Sequence, residues 1–372
     1  MQVPHTDVSE RSILKAQSYC LALVAAMLSV ILSIHSVSAQ GSEAIAERPA
    51  IDVRIESAPD VSLAATLRLP ASAGRHPVLI IQSGSGPSTR GGFISLENLL
   101  NDAGIATIEF DKRGVGQSTG IFTDTMQDME ADLAATIKWL RAHPEIDGSR
   151  IALLGYSQGA AAVPIVAERD GKIAAIVFLA GPVGERATMF LDGMRNQLVE
   201  SGRDPELVDG VTAATRRWME ARSREAPIKE QANARAAVVT AFKKAGFPAD
   251  DAEGATSVLD SPQLLSMYLT APGTALEEIN IPILAIFGAR DEIVGAQAEP
   301  AATALGENPK ALVIQVPGAS HGFGYRHVDA PPRENPDGGP WLSLLPKEQI
   351  VSWLCDWLVE EPWANGSEDP EG

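Results

Sequence analysis

The sequence predicts an α/β protein with a mostly parallel central sheet and helices on both faces. Short apolar runs typical of buried strands recur along the chain, and amphipathic helical patterns lie between most of them. The 372 residues, of which 45% are apolar, suffice for one large α/β domain with an insertion. In such a sheet the loops that carry function lie beyond the carboxyl ends of the strands.

Eight strands are predicted, near residues 51–56, 61–69, 77–82, 105–110, 150–155, 173–180, 281–288 and 311–316. The clearest helical pattern runs from Asp128 to Arg141, where Leu133, Ile137 and Leu140 share one face. The α/β core is therefore predicted to comprise residues 50–183 and 275–360, separated by an insertion.

The first 39 residues have the pattern of a signal peptide. Arg11 and Lys15 precede an uncharged apolar stretch, and Val37-Ser38-Ala39 places small residues where a signal peptidase cleaves. We predict export to the periplasm or the medium, cleavage near Ala39, and no stable membrane span afterwards. An uncleaved anchor is the alternative, because the apolar stretch is near the short limit for a spanning helix.

A nucleophile motif lies in the middle of the chain. Gly155-Tyr156-Ser157-Gln158-Gly159 follows the apolar run Arg150–Leu154 and precedes an alanine-rich stretch. In a nucleophile elbow, a serine occupies a strained turn between a strand and a helix, and the two glycines leave room for that turn. The bare pattern also arises by chance, but here the strand before it and the helix after it are both predicted. Ser157 is the candidate nucleophile.

An acid and a histidine follow Ser157 in the order that this kind of site requires. Asp291 comes just after the predicted strand 281–288, and His321 lies in the loop after strand 311–316. A serine hydroxyl is a weak nucleophile, so an imidazole must take its proton and a carboxylate must orient that imidazole. We predict His321 as the base and Asp291 as the acid, with Glu292 as the alternative acid.

The other histidines of the core fit this role less well. His76 precedes a strand and His143 lies near a helix end, so both are predicted at the surface. His327 lies in a loop with no strand directly before it and is predicted to be a loop or rim residue.

The oxyanion of an acyl-transfer intermediate needs backbone N–H donors. One is expected from Gln158, the residue after the nucleophile, and the other from the loop after strand 77–82. That loop reads Ser83-Gly84-Ser85-Gly86-Pro87, and we predict the Ser85 N–H as donor, with Gly84 as the alternative. The loop could also be a simple turn.

These motifs resemble the α/β-hydrolase superfamily, and within it a dienelactone-hydrolase-like group of bacterial serine esterases with a helical cap. The resemblance rests on the elbow, on Gly84-Ser85-Gly86-Pro87 and on Asp111-Lys112-Arg113-Gly114-Val115-Gly116-Gln117-Ser118-Thr119-Gly120. Tyr156 and Gln158 depart from that group, which more often has His and Glu beside the serine. Asp111 and Arg113 are expected to form a charged pair that pins a turn.

Residues 184–274 interrupt the alternation of strands and helices. The segment is charged and helical in pattern, with breaks at Asp204-Pro205, Ala226-Pro227 and Phe247-Pro248. We predict a helical cap over the active site. The residues predicted to contact substrate are Gly84, Tyr156, Met189, Phe190, Trp218 and Tyr268. For the last four, which lie in the cap, the alternative is that they pack in the core of the cap.

The composition of the chain argues against some classes of function. A net charge of −18 without a Lys/Arg cluster argues against nucleic acid as partner, and no cysteine–histidine cluster suggests a metal. No cofactor is implied, and the acidic tail 361–372 is predicted to be flexible. The prediction is a serine hydrolase that cleaves small to medium carboxylic esters through an acyl-enzyme. Alternatives are a thioesterase, amidase or acyltransferase with the same triad, or a non-catalytic binding protein.

Overall fold

The computed structural model describes residues 50–184, 187–324 and 343–360. The predicted signal peptide, the acidic tail and His327 lie outside these ranges. The strands are β1 (Ala50–Ala58), β2 (Val61–Arg68), β3 (His76–Gln82), β4 (Ala106–Phe110), β5 (Ile146–Tyr156), β6 (Ala175–Leu179), β7 (Ile283–Gly288) and β8 (Ala311–Val316).

The helices of the described ranges are α1 (Ile94–Asp102), α2 (Met126–Arg141), α3 (Gln158–Asp170), α4 (Thr188–Glu200), α5 (Pro205–Ser223), α6 (Ile228–Lys244), α7 (Ala249–Leu259), α8 (Pro262–Leu269), α9 (Pro272–Glu278), α10 (Ala298–Ala304) and α11 (Lys347–Cys355). A π-helical turn, Asp356–Glu360, continues α11. Within these ranges, none of the helices is both long and apolar enough to cross a lipid bilayer.

The strands form one sheet in the order β1-β2-β4-β3-β5-β6-β7-β8. β2 is antiparallel to both β1 and β4, and every other neighbouring pair is parallel. The predicted mostly parallel sheet is therefore confirmed. β3, β4 and β6 are buried along their whole lengths, as expected for strands that helices cover on both faces.

The prediction of a surface position for His76 was wrong. β5 begins at Ile146 rather than near residue 150, and its first residue pairs with His76. The His76 N–H also donates a hydrogen bond to the Glu145 carbonyl at 2.9 Å, and His76 is only 6% exposed. The residues after Ile146 are polar and show no strand periodicity, so the sequence did not indicate this pairing.

The described chain divides into two compact units. The helical unit comprises Thr123–Met126 and Gly184–Thr270, and the sheet unit comprises the remaining described residues. In the sheet unit, apolar side chains of α1 and α11 pack with those of β3, β5, β6 and β7 in one continuous core.

The helical unit has its own core, and proline lies at the start of the three helices that follow the predicted breaks. Pro205 is the first residue of α5, where the Asp204 carboxylate accepts hydrogen bonds from the N–H groups of Glu206 and Leu207. Pro227 and Pro248 directly precede α6 and α7. The predicted breaks at these prolines are confirmed.

The structure corrects the expectation that Trp218 and Tyr268 contact substrate. Each is only 2% exposed and packs in the core of the helical unit, which was the alternative. Phe190 is partly buried against the same core. The side chain of Met189 lies outside what the structure describes.

Two carboxylates are buried beneath the loop that joins β3 to α1. Glu109 on β4 is 3% exposed, and its Oε2 accepts a 2.6 Å hydrogen bond from the Gly91 N–H. Glu97 on α1 accepts from the Thr107 hydroxyl at 3.2 Å and lies 3.4 Å from Arg68 Nε. Burial, together with the charge of Glu97, raises the pKa of Glu109 to about 8.

This raised pKa predicts a pH-dependent stability. An acid whose pKa is higher in the folded than in the unfolded state stabilises the fold fully below its ordinary pKa near 4.5. That contribution is lost as the pH rises from there through about 8. We expect Glu109→Gln to match the wild type within about 1 kcal/mol at pH 5, and to exceed its free energy of unfolding by about 2–5 kcal/mol at pH 9.

Urea unfolding of both proteins at pH 5, 7 and 9 measures this difference. Glu307→Gln, at an exposed position, is the matched control and is expected to follow the wild type at each pH. A Glu109→Gln protein whose stability falls between pH 5 and pH 9 as much as that of the wild type would contradict the prediction.

Candidate active site

Ser157 lies at the junction between β5, which ends at Tyr156, and α3, which begins at Gln158. Its backbone has φ 55° and ψ −121°, a conformation that side-chain-bearing residues rarely adopt. The Ser157 N–H donates to the Leu179 carbonyl at 2.9 Å, and its own carbonyl accepts from the Ala160 N–H at 3.0 Å. The surrounding backbone thus holds the serine in the strained turn of a nucleophile elbow.

The two glycines of the motif are required by close backbone contacts. A Cβ on Gly155 would lie 2.5 Å from the Ala160 Cα, and a Cβ on Gly159 would lie 2.5 Å from the Ser83 carbonyl oxygen. Any larger residue would push α3 away from β3 and β5.

Three side chains from different loops form a continuous hydrogen-bond chain. His321 Nε2 lies 2.9 Å from Ser157 Oγ, and His321 Nδ1 lies 2.8 Å from Asp291 Oδ2. The other carboxylate oxygen of Asp291 accepts from the N–H groups of Ile293 and Val294, each at 2.9 Å. The Asp291 side chain is 1% exposed and that of His321 is 12% exposed, so the carboxylate is fixed while the imidazole edge is accessible.

The structure distinguishes the two candidate acids. Asp291 contacts the imidazole ring, whereas Glu292 Oε2 accepts a 3.3 Å hydrogen bond from the backbone N–H of His321. The Tyr156 hydroxyl donates to the His321 carbonyl at 3.4 Å, and the two rings lie 5.4 Å apart. Burial, reinforced by the charges of Asp291 and Glu292, raises the pKa of Tyr156 and keeps its hydroxyl protonated. The backbone of His321 is therefore held at both its N–H and its C=O.

The loop after β3 lies against the nucleophile. From β3 the chain continues to β4 on one side and from β5 to β6 on the other, which makes β3/β5 the switch point where α/β proteins bind ligands. A Cβ on Gly84 would lie 2.9 Å from the Ser157 Cβ. The exposed Ser85 hydroxyl donates to Gln158 Oε1 at 2.7 Å. Gly84, Ser85 and Gln158 thus border Ser157, and their roles in oxyanion binding stay predictions.

The predicted pair between Asp111 and Arg113 was wrong. Asp111 Oδ2 pairs with Arg90 Nη1 at 3.0 Å, and its Oδ1 accepts from the Arg90 N–H at 2.9 Å. Arg113 instead pairs with Asp128 and Asp132 of α2. Residues two positions apart need not face each other in a turn, and each found its partner on another segment. Asp111 therefore fastens the far end of the loop that carries Gly84 and Ser85.

Sequence reasoning missed Lys112, Arg90 and the backbone role of Glu292. Lys112 is 4% exposed, and its amino group donates to the Gly84 carbonyl beside the nucleophile. The available signal was a lysine two residues after a buried strand, at the start of a glycine-rich motif. Among the described residues, no group of three His, Cys, Asp or Glu side chains could hold a metal ion.

The family model for X-Pro dipeptidyl-peptidases of the S15 family matches residues 60–322, which include Ser157, Asp291 and His321. The chain belongs to the S15 family. The matched region includes most of the sheet unit and all described residues of the helical unit.

Two similar proteins accompany the S15 family match. An uncharacterized 31.7 kDa protein of the traX-finO intergenic region of Escherichia coli is 33% identical over 124 residues, or 31% of this chain. Esterase EstD of Thermotoga maritima is 23% identical over 235 residues, or 60% of this chain. The aligned regions span 41% and 49% of the lengths of these relatives.

Among solved structures, an esterase of Pyrococcus furiosus superposes with a TM-score of 0.53 at 18% identity, over 84% of this chain and 92% of the esterase. This likeness shows the fold. The predicted α/β-hydrolase fold is thereby confirmed.

Proposed function

We propose that this protein is a serine hydrolase that cleaves carboxylic esters of small to medium size through an acyl-enzyme. The observation that carries the proposal is the hydrogen-bond chain from Asp291 through His321 to Ser157. It couples a serine in a strained turn to a base whose orientation a buried carboxylate fixes.

In the proposed reaction, Ser157 Oγ attacks the ester carbonyl carbon while its proton passes to His321 Nε2. Asp291 Oδ2 stabilises the imidazolium that results. The oxyanion of the tetrahedral intermediate is bound by the N–H groups of Ser85 and Gln158. The C–O bond then breaks, and the leaving alcohol takes the proton from His321.

A water molecule completes the cycle. It attacks the acyl-enzyme while its proton passes to His321, and a second tetrahedral intermediate collapses. Ser157 recovers the proton from His321, and the carboxylic acid leaves. The products are one alcohol and one acid for each water consumed.

Peptide cleavage is the second candidate, because the S15 family model is described by X-Pro dipeptidyl-peptidase activity. Such an activity removes a dipeptide from a free N-terminus, so its site needs a carboxylate for the substrate's α-ammonium group. Among the described residues, two carboxylates that lie beside the catalytic histidine, Asp291 and Glu292, both bind His321. This engagement and the esterase activity named for EstD of Thermotoga maritima favour ester substrates.

A paired substrate panel tests the proposal. We expect p-nitrophenyl esters from acetate to laurate to be hydrolysed with a maximum at one acyl length, and a fluorophosphonate to label Ser157. Gly-Pro-p-nitroanilide and its N-acetylated form are the comparison. Turnover of Gly-Pro-p-nitroanilide that acetylation abolishes would favour the peptidase instead. Absence of both ester turnover and Ser157 labelling would indicate a non-catalytic protein.

We further propose that the helical unit serves as a cap and that the mature protein is exported. The cap proposal is supported by the position of the unit in the chain, between β6 and the strand that carries Asp291. The export proposal is supported by the sequence pattern of residues 1–39.

A further inference from the structure

Lys112 is a buried lysine that the proposed reaction does not use. It lies two residues after the end of β4, it is 4% exposed, and its amino group donates a hydrogen bond to the Gly84 carbonyl. We propose that Lys112 is a positioning residue that orients the Gly84–Ser85 peptide so that the Ser85 N–H faces the substrate oxyanion. The inference rests on the proposed function, because it names what holds one of the two oxyanion donors.

The geometry of the peptide bond links the direction of the Gly84 carbonyl to that of the Ser85 N–H. The Gly84 carbonyl and the Ser85 N–H belong to one peptide group, and no cis peptide occurs among the described residues. In a trans peptide the C=O and the N–H point in opposite directions. A donor that binds the Gly84 oxygen from one side therefore sets the direction of the Ser85 N–H on the other side.

This peptide adjoins the nucleophile. A Cβ on Gly84 would lie 2.9 Å from the Ser157 Cβ and 3.2 Å from the Tyr156 carbonyl oxygen. On the following residue, the Ser85 hydroxyl reaches Gln158 Oε1 at 2.7 Å. The peptide that carries the Ser85 N–H therefore borders the nucleophile, where a donor to the oxyanion is required.

Glycine makes this orientation dependent on an external contact. With no Cβ, Gly84 allows a wide range of ψ, so rotation of the peptide plane between Gly84 and Ser85 meets little steric resistance. A rotated peptide would present its carbonyl oxygen to the oxyanion and repel it. The Lys112 hydrogen bond opposes that rotation, and in a buried setting it also polarises the peptide and strengthens the Ser85 N–H as a donor.

Other groups of the same segment fasten the rest of the loop. The Lys112 N–H donates to the Ser88 carbonyl at 3.0 Å, and Asp111 accepts from the Arg90 N–H at 2.9 Å. These contacts hold the Lys112 backbone in a fixed position relative to the loop. The side chain therefore extends from a rigid support, which helps to orient the donor at its end.

The test compares Lys112→Met, which keeps the length of the side chain but removes the donor, with Lys138→Met at an exposed position of α2. We expect Lys112→Met to lower kcat for the preferred ester roughly 10- to 100-fold, somewhat less than direct loss of an oxyanion donor. KM should stay within about threefold, because the effect arises in the transition state. Affinity for a trifluoromethyl ketone, whose adduct with Ser157 carries an oxyanion, should fall by the same factor as kcat/KM.

A merely structural role would not produce that parallel loss. Lys112→Leu, which also lacks a donor, is prepared alongside, so that a second side chain is available if the methionine variant does not fold. The inference is wrong if a folded variant keeps kcat within about twofold of the wild type, if ketone affinity is unchanged, or if neither variant folds. Ester turnover by the wild type and by Lys138→Met in the same assay separates this failure from failure of the proposed function, and an inactive wild type would overturn both.

Discussion

Ser157→Ala is expected to lower kcat for the preferred p-nitrophenyl ester at least about a thousandfold, the scale of loss seen when a triad nucleophile is removed. Without Oγ, which lies 2.9 Å from His321 Nε2, no acyl-enzyme forms. Alanine keeps the Cβ at φ 55°, so the strain of the turn is unchanged and the protein should fold as the wild type does. Steady-state kinetics and thermal unfolding of both proteins measure the two quantities.

Ser149→Ala is the matched control, because Ser149 is an exposed serine near the other end of β5. It should keep full activity and full labelling by a fluorophosphonate. Activity within about tenfold of the wild type in a folded Ser157→Ala protein would contradict the serine mechanism.

Asp291→Asn is expected to lower kcat by roughly 10³- to 10⁴-fold, because an amide in place of Oδ2 favours the wrong tautomer of the imidazole. The neighbouring Glu292→Gln should cost about tenfold or less. Glu292 binds the backbone N–H of His321 rather than its ring, and a glutamine oxygen can still accept that hydrogen bond. Adjacent carboxylates in one loop are thus predicted to differ in effect by at least about a hundredfold.

The two variants control for each other, since each replaces one acid by its amide in the same loop. Steady-state kinetics of both variants, with thermal unfolding to verify folding, shows which of the two acids orients His321. A larger loss in Glu292→Gln than in Asp291→Asn would assign the orienting role to Glu292 and overturn the assignment of Asp291.

Much of the fold was predictable because several of its strands are apolar along their length. β6 and β7 are buried throughout, and their sequences are continuous runs without a polar side chain. The elbow was predictable for a related reason, since the conformation of Ser157 depends on residues within two positions of it. The first residues of β5 were missed because they are mostly polar and show no such pattern.

The side-chain partners of the site were less predictable. Asp111 and Arg113 are close in sequence, yet each pairs with a residue of another segment. The choice between Asp291 and Glu292 depended on side-chain direction in a loop, and periodicity carries no information there. Lys112 gave no indication of its target, because its partner Gly84 lies 28 residues away in sequence.

By itself, the sequence determined the alternation of strands and helices, the strained serine between two glycines, and the order of serine, acid and histidine. These features follow from local backbone preferences and from the spacing of apolar residues. Only the tertiary structure decided which carboxylate meets the histidine and which buried lysine meets the loop beside the serine. Such contacts join distant segments at hydrogen-bond distance, and the packing of the sheet brings those segments together.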